Sequence, residues 1–178
     1  MLLVLLLGVA DFGRVFHAGI VTESSARNGA EAGAQEYLQF RRGTTPTTAV
    51  DLDRITAKAL EAVCDEAERL PGRQMSGSTC TMPIVAACIH DDPAELINYS
   101  GCSAPAGTPP ECTEILGPWP TLWATNGTTE TLPSVEVRVC YRFDTLFNLR
   151  DLQLPLATGL DLGSVWLQKA RVFSVADY

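Results

Sequence analysis

Six cysteines, Cys64, Cys80, Cys88, Cys102, Cys112 and Cys140, are the residues of this sequence best suited to chemistry, and their spacing selects which chemistry. Zinc-binding cysteines come in pairs about two to four residues apart. The shortest intervals here are eight and ten residues. Disulfide formation is therefore the better reading, and persistent disulfides place the domain in an oxidising compartment, outside the cytoplasm. Six cysteines allow about fifteen pairings. Of these we expect Cys102 with Cys112, because the two flank the Pro-rich loop SAPAGTPPE and closing it would stabilise the fold by about 2 to 3 kcal/mol through the unfolded chain.

The remaining polar candidates offer little catalysis. His17 lies in the N-terminal segment, and His90 precedes Asp91 and Asp92. The His-Asp-Asp run has metal-ligating atom types, but neighbours on a strand point to opposite faces and do not converge without a turn. Cys64 and Ser76 have no base at a meaningful spacing, and the sequence has no nucleophile elbow, Walker loop, dinucleotide fingerprint or H-E-x-x-H. A non-enzymatic protein without cofactor or metal is expected. Two sequons, at Asn98 and Asn126, offer glycosylation sites, and the threonines of 44–48 and 125–131 offer O-linked ones. Asp11 and Arg14 stand out most. They are three apart in an apolar helix, so they can pair within one chain, or across to the next copy and fix its register.

The element carrying this pair reads as one helix from residue 1 to about 38, roughly 57 Å long at 1.5 Å per residue. Its first ten residues, MLLVLLLGVA, are wholly apolar. A bilayer-spanning helix needs about 20 apolar residues, twice this run, and neither the basic start nor the small-residue cleavage site of a signal peptide is present. Such a helix protrudes with a bare apolar tip, which needs covering by copies of itself or by partial membrane insertion. Ala18, Thr22, Ala26, Ala30 and Ala34 recur every four residues, with Gly29 and Gly33 beside them. Small residues at that interval let helices approach closely, either on another copy or on the chain's own domain. Leu2, Leu3, Leu5, Leu6, Asp11, Phe12, Arg14, Phe16, Ala26 and Ala30 are the expected subunit-assembly residues.

The segment GVADFGRVFHAGIVTESSARNGAEAGAQEY resembles the N-terminus of TadE-like proteins, pseudopilins of the tight-adherence branch of type IV pilus machines. The resemblance rests on Asp11, Phe12, Gly13, Arg14, Phe16, Ala26, Arg27, Gly29 and Ala30, and on the closing segments VEVRVCYRFDTLFNL and LGSVWLQKARVFSV. It covers about the first 37 and last 45 residues. Relatives carry a short basic leader and an acid a few positions into the mature helix. Here the fifth residue is Leu5 and the leader has no counterpart, so these residues carry no argument for prepilin-peptidase cleavage. The resemblance implies a type IV pilin-like fold and a filament subunit, membrane-anchored before assembly, whose partners are its own copies and the pilus assembly machinery.

Composition agrees with one modest domain on a stalk. Of 178 residues, 46% are hydrophobic and 19% charged, a foldable chain. Its net charge of −8, with only 13 Lys and Arg, argues against nucleic acid. Arg41 and Arg42 suit a helix C-terminus. Residues 49–70 have a helical apolar period with an acidic, solvated face (Asp51, Asp53, Glu61, Asp65, Glu66 and Glu68), stopped by Pro71-Gly72. Residues 79–90 read as a strand with Pro83 at a bulge or edge.

Residues 91–133 form an irregular Cys/Pro-rich insertion tied down by Cys102, Cys112, Trp119 and Trp123. Residues 134–143 alternate as a half-buried strand, and residues 164–175 return antiparallel to it, across a Leu-rich loop suited to subunit contact. The expectation is an α+β chain: an assembly helix over 1–40, a linker over 41–50 and a small antiparallel-sheet head over 51–178. Its expected role is a pilin of an extracellular Tad-like filament. The alternatives are a membrane-associated minor pseudopilin, or an adhesive or glycan-binding module built on Trp119 and Trp123.

Overall fold

The computed structural model describes residues 2–41, 49–77, 79–90, 105–112, 133–145 and 164–175. The first element is helix α1, Leu2–Arg41. The sequence has no proline before Pro46, and this stretch is rich in leucine, alanine, glutamate and glutamine, all good helix formers. Helix α2, Ala49–Glu66, is followed by a single tighter turn, Ala67–Arg69, before Pro71 and Gly72 reverse the chain. Gly72 takes a positive φ of 78°, which glycine adopts without strain.

Five strands follow. β1 (Gln74–Ser76) and β2 (Thr79–Met82) form an antiparallel ribbon, and β3 (Ile84–His90), β4 (Ser134–Asp144) and β5 (Ser164–Ser174) form an antiparallel sheet in the order β3-β4-β5. The long N-terminal helix, second helix, small antiparallel sheets and disulfides make the α+β, pilin-like architecture expected from the sequence.

α1 and α2 lie together on one face of the three-stranded sheet. Ala26, Ala30, Ala34 and Tyr37 of α1 meet Ile55, Ala59 and Val63 of α2 and Val135, Val137 and Val139 of β4 in one buried cluster. A second cluster joins Ala18 and Val21 to Ala67, Leu70, Tyr141 and Phe143. Glycines make this approach close. A Cβ on Gly29 would stand 2.4 Å from Val63 Cγ2 and 3.1 Å from the Ala59 carbonyl oxygen, and one on Gly33 would stand 2.8 Å from Val135 Cγ1. Polar ties lock the two helices together. Glu36 pairs with Arg54 at 3.0 Å, and Glu66 accepts hydrogen bonds from Ser24 and Asn28, both at 3.3 Å.

Three sequence expectations are corrected. Residues 79–90 are not one strand: Pro83, with no N–H for a ladder, separates β2 from β3, and the two belong to different sheets. β4 is not half-buried, since every residue from Ser134 to Tyr141 is buried. It is the middle strand, with Val135, Val137 and Val139 under the helices, while Cys140 on its other face packs with Cys112, Ala86 and Trp166. Cys102 does not pair with Cys112. Cys112 bonds Cys140, 28 residues on, and Cys64 bonds Cys80. Each disulfide thus fastens one element to another, α2 to β2 and the 105–112 segment to β4, and constrains a longer loop than the one expected. Cys88 is also disulfide-bonded, and Cys102 lies outside the described residues.

Candidate functional site

α1 has two unlike faces. From Asp11 onward, residues 11, 18, 21, 22, 25, 26, 29, 30, 33, 34 and 37 are buried against the chain's own head. Leu6, Val9, Phe12, Phe16 and Ile20, stepping by three and four, form a stripe on the opposite side. Their exposure runs from 55% at Ile20 to 73% at Phe12. Beyond Ile20 the outward face becomes polar, with Arg27, Asn28, Gln35 and Gln39 exposed. The stripe leaves on the order of 500 Å² of apolar side chain in water, near the largest patch an ordinary monomer shows. A surface of this kind is suited to association and has no catalytic groups of its own.

Asp11 and Arg14 pair within the chain, Arg14 Nη1 donating to Asp11 Oδ1 at 3.1 Å. The Arg14 guanidinium also lies 5.1 Å from the centre of the Phe143 ring, a cation–π contact with the end of β4. Of the two pairings open in the sequence, the intrachain one is made. It marks where the helix leaves its head, for Leu6, Gly8, Val9 and Ala10 before it are all exposed.

A second polar cluster lies on the sheet face away from the helices. Glu136 Oε2 is 2.9 Å from His90 Nε2, and Glu136 Oε1 accepts from Arg138 Nε at 2.6 Å. All three side chains are buried. Burial by itself pushes the Glu136 carboxyl up. The hydrogen bonds from His90 and Arg138, with their charges, outweigh burial and hold it below the usual carboxylate range. His90 is therefore part of a buried hydrogen-bonded network around Glu136, and its sequence neighbours Asp91 and Asp92 lie outside the described residues.

The structure separates the expected assembly residues. Leu6, Phe12 and Phe16 are exposed on the stripe. Ala26 and Ala30, at 0% and 1% exposure, are consumed by the chain's own core, so the small-residue face is an intramolecular seam with α2 and β4. The side chains of Leu2, Leu3 and Leu5 lie outside the described residues, as do Asn98, Asn126, Trp119, Trp123 and the Leu-rich loop after Thr145. Sequence reasoning passed over Val9 and Ile20. Extending the interval between Phe12 and Phe16 by one turn each way finds both. Cys64 is held in a disulfide, and Ser76 is exposed on β1.

Comparison with known proteins bears on the same helix. Residues 1–31 match the model of the family described as TadE-like protein. No curated protein and no solved structure matches the chain.

Proposed function

Given a chain whose first 31 residues are TadE-like, we propose that it is a structural subunit of an extracellular, type IV pilus-like filament of the tight-adherence kind, polymerising through α1. The observation that carries this reading is the outward stripe Leu6, Val9, Phe12, Phe16 and Ile20. The chain's own head covers the other side of the helix and leaves this one bare. Water does not solvate such a surface cheaply, and neighbouring copies supply the missing apolar environment. Disulfides joining α2 to β2 and the 105–112 segment to β4 suit a head that works in an oxidising, extracellular space.

The family match supports a place in tight-adherence pilus assembly. The polymer is the finer step, and a minor, membrane-associated pseudopilin is its alternative. Electron microscopy of sheared surface material, with an antibody to the head, decides between them. Label along the whole length of filaments is the expected result. Label confined to filament ends, or retained with membranes, would overturn the polymer reading in favour of the minor role.

A further inference from the structure

Beside the stripe, α1 and β5 enclose a groove of about 520 Å³, lined on the helix by Ile20, Glu23, Arg27 and Ala30 and on the strand by Arg171 and Phe173. Ile20 belongs to both surfaces, so the outward apolar face of the helix runs directly into the groove. Phe173 is 39% exposed although it points to the helix side of the sheet, opposite Val135 in the ladder. Glu23 is paired with Lys169 at 3.3 Å and also with Arg171, and with Arg27 beside them the groove's wall carries more positive than negative charge.

Resting on the assembly reading above, we infer that this groove receives the apolar tip of a second copy, its Phe12 and Phe16 lying against Ile20 and Phe173. Three observations fix the occupant. The tip's bare surface, on the order of 500 Å², is most of the roughly 800 Å² that one partner contributes to a stable interface, so another copy already carries nearly the required half. Charged side chains in the wall suit a protein surface better than lipid tails, in which each charge is costly.

Within one copy, however, the tip's phenylalanines and Phe173 lie far apart. Ala18 packs near Phe143, which opposes Val165, whereas Gly33 meets Val135, which opposes Phe173. Those strand positions are about 26 Å apart at 3.3 Å per residue, so a tip does not reach its own Phe173. The contact is head-to-tail and leaves a free tip and a free groove at each step, the condition for an open polymer. Copies in parallel would be offset by about 20 Å, the rise from Phe12 to the middle of the groove at 1.5 Å per residue.

The test is photo-cross-linking in cells that assemble the full chain, with benzoylphenylalanine in place of Phe12. The expected product is a dimer-sized adduct whose joined peptides are the helix tip and the one containing Phe173 or residues 20–30. Cross-links from tip to tip, to lipid or to another protein, or no adduct, would overturn the inference. If filaments still form in that case, the proposed function stands without it. In a second arm, Phe173→Glu should lower the yield of sheared polymer at least tenfold with the head still folded by circular dichroism. Wild-type yield from that variant overturns the groove, and a wild-type chain that forms no polymer overturns both the groove and the filament.

Discussion

At the scale of single residues, what sequence could reveal depended on separation along the chain. Asp11 and Arg14 are three apart on a helix, so their pairing was legible, and only the choice between one chain and two needed coordinates. His90 and Glu136 are 46 residues apart and gave no sign of each other, because two strands must pair before their carboxylate and imidazole meet. Glu136→Gln removes the buried carboxylate that His90 and Arg138 share, and should cost about 3 to 5 kcal/mol, read as a lower urea midpoint. Its pH dependence has a definite sign. The folded carboxyl titrates below 4.5, its ordinary value, so its contribution is complete above that pH and is lost as pH falls through the lowered folded value. Urea midpoints between pH 7 and 3 should therefore drop more steeply below pH 4.5 in the wild type than in Glu136→Gln. Asp11→Ala should leave the head folded and reduce sheared polymer several-fold, because the helix loses the pair that sets its exit from the head. Undiminished polymer would refute that role.

Among elements, periodicity gave both helices and the β4–β5 pair, while breakers were read too weakly. Pro83 is disruptive in the sequence but not legible there as the divider between two sheets, and β1 with its pairing to β2 goes unseen because a three-residue strand shows no measurable alternation. The small-residue face was legible, but its partner was open between another copy and the chain's own domain, and Ala26 and Ala30, expected at the subunit contact, belong to the latter. Ala26, Ala30, Gly29 and Gly33 permit close approach whatever lies opposite, and spacing cannot say whether that is a neighbour or the chain's own α2. This makes the glycines separable by substitution. Gly29→Ala should lower the melting temperature by on the order of 5 °C, since the gain in helix propensity is exceeded by the clash with Val63 and the Ala59 carbonyl. Gly19→Ala, whose added methyl would have nothing within 4 Å, should raise it slightly. Equal shifts from the two would mean that the α1–α2 seam is looser than described. Removing the Cys64–Cys80 bond by a double Ser substitution should cost about 3 kcal/mol, measured by denaturant unfolding, for a closure of 16 residues.

For the molecule as a whole, α1 packs on its own head with one face and leaves the other bare, and the assembly reading depends on the independence of the two faces. Phe16→Asp changes a side chain that is 64% exposed and makes no part of the buried clusters, so melting should stay within about 2 °C of wild type while polymer is lost. A variant that melts early instead would place Phe16 in the fold and weaken the claim. The uninterrupted run of α1 from the bare tip to Arg41 also has a mechanical outcome. Tension applied at the tip travels along one hydrogen-bonded rod with no hinge to absorb it. It enters the head as sliding along the length of the α1–β4 seam, so that Ala18, Ala26, Ala30 and their partners resist together and do not peel away one by one. A thread of such units should stretch little under load and then yield abruptly.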